Sequence, residues 1–175
     1  MLQDDFLPTY DFSERHHILI NQVPDRIYTL VYDFDFSGSW IIRTLFKLRG
    51  MGTDRTMKSG LLQGNFIELA HRPNEEMVLG LVGQFWRANG NLQKLEPAEF
   101  LTFCEPGFLK ATWNFQLVPR NEQVTVLHTE TRVLCMDQEA RRKFSPYWFI
   151  IRPFSGIIRK EILRGIKKKA ESLCP

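Results

Sequence analysis

The stretch FLKATWNFQLV at 108–118, followed by EQVTVLHTETRVLC at 122–135, decides the fold of this chain. In each segment, odd-numbered and even-numbered positions carry different sets of side chains over more than ten residues, which is typical of β-strands with one buried face. Pro119, Arg120 and Asn121 lie between them and form a turn signal. The pair therefore predicts a long antiparallel hairpin.

The first strand of this hairpin has one clearly apolar face, which includes Leu109, Trp113 and Phe115 and must point inward. The second strand is ambiguous. Its even-numbered positions include His128, Glu130 and Arg132, whereas its odd-numbered positions are mostly threonine, leucine and valine.

The length of the connecting loop decides which face of the second strand is buried. A loop of two or four residues places Trp113 opposite His128, so that His128, Glu130 and Arg132 lie on the inner face. A loop of three or five residues sends all three to the outer face. We favour the even loop, and the odd loop stays open as the alternative.

The rest of the chain predicts more strands and several helices. A strand is expected over 14–23, then a helix that starts at Pro24 and a second helix over 41–48, capped by Ser39. Strands are expected over 65–71 and 75–86 and a short helix near 97–103, whereas residues 1–13 lack periodicity and are expected to be a loose arm.

The C-terminal segment predicts one long helix over 138–172, with Asp137 as its N-cap and Pro153 at a kink or break. Its apolar face is expected to hold Ile151, Phe154, Ile158, Ile162 and Ile166, widened by Ile150 and Ile157. Its basic residues, including Arg159 and Lys168, are expected to face solvent.

Composition and charge exclude several classes of protein. The net charge of +3 is concentrated at the C-terminus, because residues 139–175 hold ten Lys/Arg and three Asp/Glu. The N-terminus is acidic and does not resemble a signal peptide, and no apolar run is long enough to span a membrane. The three scattered cysteines argue against disulfides or a zinc site and favour a cytoplasmic location. No metal or cofactor motif occurs, so neither is expected.

These elements predict an α+β fold, and their order resembles the helix-grip superfamily of START-type, Bet v 1-like and polyketide-cyclase-like (SRPBCC) domains. VLGLVGQFWR at 78–87, FCEPGFLKATWNF at 103–115 and YWFIIRPFSGIIRKEILRGIKKKAE at 147–171 are similar to uncharacterised bacterial members. The resemblance implies a curved antiparallel sheet of six or seven strands wrapped around the C-terminal helix. Two short helices follow the first strand, and the domain spans 14–175.

The resemblance also implies a cavity between sheet and helix that binds or carries a small apolar ligand. The alternative is an enzyme of the cyclase or dehydratase kind acting in the same cavity, with His128, Glu130 and Arg132 as candidate catalytic residues. Glu130 and Arg132 would form a paired polar floor, or else a structural salt bridge. The expected ligand-binding residues are Trp86, Trp113, Phe115, His128, Glu130, Arg132, Tyr147, Trp148 and Ile151.

Other surface features favour no further ligand. His16 and His17 are expected to be solvent-exposed rather than to bind a metal. The lysines at 167–169 are expected to form a solvated helix end, so no nucleic-acid partner is predicted, although a basic helix that touches a membrane or nucleic acid is a third hypothesis. The sequence leaves the oligomeric state open.

Overall fold

The computed structural model describes residues 1–33, 66–87 and 89–172. The second helix predicted at 41–48 lies outside this range. The described residues form, in chain order, α1 (Gln3–Phe6), β1 (Phe12–Ile20), α2 (Pro24–Tyr32), β2 (Ile67–Arg72), β3 (Glu76–Gly83), α3 (Pro97–Thr102), β4 (Leu109–Pro119), β5 (Thr125–Cys135) and α4 (Gln138–Ser172).

The five described strands form one antiparallel sheet in the order β1-β5-β4-β3-β2. The 35-residue helix α4 lies across one face, where it contacts β1, β5 and α2. We call this the inner face. A curved antiparallel sheet with a long C-terminal helix is the predicted α+β helix-grip architecture, which is confirmed. The described residues account for five of the six or seven strands expected.

Local chemistry explains where the helices begin. Pro24 occupies the first turn of α2, where its fixed φ suits the helix and its missing N–H costs nothing. Glu96 and Glu99 form a capping box around the start of α3. The Ala140 amide donates to Asp137 Oδ1 at 2.6 Å, so Asp137 caps α4 as predicted.

The main core lies between the inner face and α4. Phe115, Leu117 and Leu127 of the sheet pack with Ile162 and Ile166 of the helix, all at most 4% exposed. The predicted burial of Ile158, Ile162 and Ile166 is therefore confirmed.

The first half of α4 departs from the predicted apolar face. Ile150, Phe154 and Ile157 are exposed, and Ser155, Gly156 and Arg159 are buried instead. A Cβ atom on Gly156 would lie only 2.6 Å from Glu14 Oε1, so this part of the helix approaches β1 very closely. Small residues permit that approach, and a bulky apolar side chain would not fit there.

The outer face of the sheet is also covered. Leu2 and Phe6 of the N-terminal segment and Phe100 of α3 pack against Val78 and Val82. The expectation of a loose arm over 1–13 is therefore wrong, because α1 carries apolar residues onto the sheet and β1 already begins at Phe12.

The register of the β4–β5 hairpin corrects the predicted loop. Pro119 pairs with Thr125, which leaves the five residues 120–124 in the loop, and Trp113 pairs with Thr131. The odd loop is the one that forms, so the prediction that His128, Glu130 and Arg132 share a face with Trp113 is wrong. Arg120 and Asn121 both donate their amides to the Val124 carbonyl, which closes the longer turn.

Candidate functional site

Glu130 and Arg132 lie on the outer face, yet both are buried. Arg132 donates to Asp4 Oδ1 at 2.7 Å and to the Leu7 carbonyl at 3.1 Å. Its Nε is 3.3 Å from Glu130 Oε1, and Arg15 reaches the other oxygen of Glu130 at 2.7 Å. This network attaches the N-terminal segment to the sheet, so it supports the structural interpretation of the pair over the polar floor.

His128 is also on the outer face, where its ring centroid is 5.5 Å from that of His17. Burial lowers the pKa of His128, and electrostatic interaction with the neighbouring His17, Arg15 and Arg120 lowers it further. The lowered pKa of His128 therefore results from its surroundings on the outer face, and His128 does not line a cavity under α4.

The inner face carries a different set of polar side chains, which we call the polar band: Glu14 and His16 from β1, Thr131 from β5, and Ser155 and Arg159 from α4. Glu14 Oε1 is 3.0 Å from His16 Nε2. The Arg159 guanidinium is 3.7 Å from Glu14 Oε2 and hydrogen-bonds to the hydroxyls of Thr131 and Ser155. Glu14 and Arg159 are both only 8% exposed.

Trp113 forms the aromatic wall beside the polar band. The guanidinium carbon of Arg159 lies 5.5 Å from its ring centroid, a cation–π distance. Its Nε1 donates to Thr129 Oγ1 at 2.7 Å, which fixes the orientation of the indole. Phe115 and Phe66 flank it at 5.0 and 6.3 Å between centroids. The prediction that Trp113 and Phe115 face inward is thus confirmed.

A second polar group lies on the other side of Trp113, near α2 and β2. Glu68 Oε1 accepts from the Tyr32 hydroxyl at 2.6 Å and is 2.6 Å from His71 Nδ1. Burial raises the pKa of Tyr28 and that of Tyr32. The buried Tyr28 hydroxyl has no hydrogen-bond partner among the residues described. A polar atom in that state is a candidate contact for a bound molecule.

The remaining predicted ligand residues form a separate apolar cluster. Trp86, Tyr147 and Trp148 pack around Phe144 at the start of α4. A hollow of about 260 Å³ opens there beside Trp86, and Gly107 and Lys143 also line it. Ile151 is half-buried in the next turn of the helix.

The polar band separates two apolar clusters on the inner face. Along β1, Phe12 belongs to the Phe144 cluster and Ile18 to the main core, with Glu14 and His16 between them. Along β5, Val133 belongs to the Phe144 cluster and Leu127 to the main core, and Thr131 lies between them. Buried polar groups between apolar walls are what orient a ligand in most small-molecule sites.

Glu14 and Arg159 were not among the predicted site residues. Of the two histidines predicted to be solvent-exposed, His17 is exposed and His16 is half-buried. Arg159 was expected on the solvent face of α4, which is wrong because it points at the sheet. The sequence of 14–20 does contain a signal for the inward position of Glu14. Ile18 and Ile20 are apolar and are expected to point inward. Because alternate side chains of a strand share one face, Glu14 and His16 then point inward as well.

Within residues 1–33, 66–87 and 89–172, no group of three or more His, Cys, Asp and Glu side chains is arranged to hold a metal ion. No described helix combines the length and the apolar character that a membrane span needs.

The comparisons with known proteins identify no family: no family model and no curated protein matches the chain. Solved structures that are similar include a conserved protein from Geobacillus kaustophilus, at 13% identity and TM-score 0.47, covering 92% of this chain and 96% of that one. A Thalictrum norcoclaurine synthase is 11% identical at TM-score 0.36, covering 87% and 94%. The Zhui aromatase/cyclase from Streptomyces is 11% identical at TM-score 0.35, covering 91% and 93%. At these values the similarities carry no information on ligand or reaction.

Proposed function

We propose that the chain binds a small, largely apolar molecule between the inner face and α4, with Arg159 holding one acidic or hydrogen-bond-accepting group of that molecule. The observation that carries the proposal is the buried Arg159 guanidinium, which lies against Trp113 and between two apolar clusters. A guanidinium offers five donors in a fixed plane, which suits a carboxylate or a carbonyl oxygen.

The surrounding residues favour a molecule with a ring or chain body. Trp113 and Phe66 present aromatic surface on one side of Arg159, and the Tyr28 hydroxyl offers a further polar contact. Aromatic walls with a few polar groups are typical of sites that select the shape of an apolar ligand and fix its orientation.

The binding test compares apolar carboxylic acids with their methyl esters, using titration calorimetry on the full chain. Arg159→Gln removes the charge and should weaken binding of the acids by at least about tenfold, the effect of losing a hydrogen bond to a charged group. Arg164→Gln is the matched control, because Arg164 is on the same helix and its side chain is 67% exposed. Trp113→Phe should weaken binding of acids and esters alike.

Equal affinity of the wild type and Arg159→Gln for the acids would contradict the proposal, as would failure of every compound to bind the wild type. If Arg159→Gln does not fold, Thr131→Val keeps the volume of the side chain and removes one partner of the guanidinium. A weaker affinity for the acids is expected there too.

An enzyme acting in the same place is the second candidate, favoured by the Glu14–His16 pair. Their separation of 3.0 Å lets the carboxylate orient the imidazole, which could then act as a general acid or base towards a molecule beside Arg159. This arrangement replaces the outer-face residues as the basis for a cyclase or dehydratase. In the same compound panel, turnover lost in His16→Gln with binding retained would favour the enzyme, and absence of turnover in the wild type would exclude it for those compounds.

A further inference from the structure

The first half of α4 presents an apolar surface that no other described part of the chain buries. Phe149 and Ile150 are 83% and 65% exposed, and Phe154 and Ile157 are 41% and 45% exposed. Pro146 and Pro153 are also exposed. Each of these six residues has another one three or four positions away, so together they lie along one side of the helix for about 17 Å. We call these six residues the exposed stripe.

The exposed stripe is available without any unfolding. It points away from the sheet because the opposite side of the helix is anchored by Ser155, Gly156 and Arg159 against β1 and β5. Contiguous apolar surface on a folded chain is a mark of an interaction site, whereas single exposed apolar residues are ordinary.

Basic residues predominate among the charges around the exposed stripe. No Asp or Glu occurs from 140 to 160, a segment that holds six Lys/Arg. Arg141 and Lys143 form ion pairs with Asp11 and Glu139. Arg142, Arg152 and Lys160 are exposed and form no ion pair with the described residues. Three uncompensated cations therefore border the apolar side chains.

We propose that the exposed stripe docks α4 onto the surface of a bilayer that contains anionic phospholipids. The apolar side chains would enter the boundary between headgroups and acyl chains, and the bordering cations would contact lipid phosphates. The positive charge beside the exposed stripe favours an anionic bilayer over a second copy of the chain, since a dimer formed through this surface would bring the same cations of both copies together. The docking surface is on the opposite side of α4 from Arg159, so it is independent of the inner-face ligand.

The lipid test is flotation of the full chain with vesicles of phosphatidylcholine, either alone or mixed with phosphatidylserine. The wild type should float with the mixed vesicles and much less with phosphatidylcholine alone. Phe149→Gln should reduce partitioning by about tenfold, the effect of no longer burying a phenyl ring. Leu101→Gln is the matched control, because Leu101 is 50% exposed on α3, across the sheet, and its change should have no effect.

The cations are tested separately. Arg142→Gln, Arg152→Gln and Lys160→Gln should each reduce partitioning by about fivefold, the usual effect of one basic residue near an anionic surface. Added salt should weaken binding further, because it screens exposed charges. Lys94→Gln, an exposed cation outside α4, serves as the control.

Three results would overturn the lipid proposal. The first is equal flotation of wild type and Phe149→Gln, and the second is equal binding of the wild type to both kinds of vesicle. The third is a concentration-dependent dimer in sedimentation that Phe149→Gln abolishes, which would assign the stripe to a second copy. Retained flotation of Arg159→Gln is expected, since that residue belongs to the inner face.

Discussion

At the scale of single residues, Arg132 shows that burial and facing inward are different properties. Its side chain is 5% exposed on the outer face, beside Glu130 at 3%. Arg132→Ala should cost about 3–5 kcal/mol of unfolding free energy, because Glu130 would remain as a buried charge with only Arg15 near it. Urea denaturation measures this. Arg164→Ala, in an exposed pair, should cost about 0–1 kcal/mol. Equal small losses would mean that the N-terminal segment does not cover Arg132 in solution.

At the scale of elements, the two halves of α4 pack differently: the second half buries isoleucine side chains in the main core, whereas the first half leaves Ile150 and Ile157 exposed. Ile162 is fully buried in the main core, whereas Ile157 is 45% exposed. Ile162→Ala should therefore destabilise the protein by about 2–5 kcal/mol through the cavity it leaves. Ile157→Ala should change stability by about 0.5 kcal/mol at most. Thermal melts of the two variants test this directly, and similar losses would show that the helix is rotated relative to the sheet.

At the scale of the whole molecule, both faces of the sheet are covered, and the N-terminal segment contributes to stability through Asp4. The hydrogen bond from Arg132 lowers the pKa of Asp4. A lowered folded-state pKa contributes stability that is present above the unfolded value of about 3.9 and is lost as pH falls through the folded value. Asp4→Asn should therefore destabilise at neutral pH, and its difference from the wild type should shrink in acid.

Denaturant melts across acid pH measure that difference, with Glu122→Gln as the control. Glu122 is exposed in the 120–124 loop, and its change should matter little at any pH. A difference between Asp4→Asn and the wild type that stays constant down to the lowest pH would contradict the role given to the Arg132 contact.

Much of the architecture was determined by the sequence alone. The alternation in 108–118 and 122–135 required a hairpin, and Pro24, Pro97 and Asp137 fixed three helix starts, because these are local effects of backbone geometry and hydrogen bonding. The Ile158–Ile162–Ile166 stripe fixed the burial of the second half of α4 for the same reason.

Only the tertiary structure decided which polar side chains meet on the inner face. Loop length sets the face of β5, and nothing local distinguished the five-residue loop 120–124 from a four-residue one. The burial of Glu130 and Arg132 required α1, whose segment has no periodicity of its own. The meeting of Glu14 with Arg159 required the close approach at Gly156, a contact between residues far apart in the chain. Local patterns set the direction of a side chain relative to its own element, but the partner it meets depends on how elements pack.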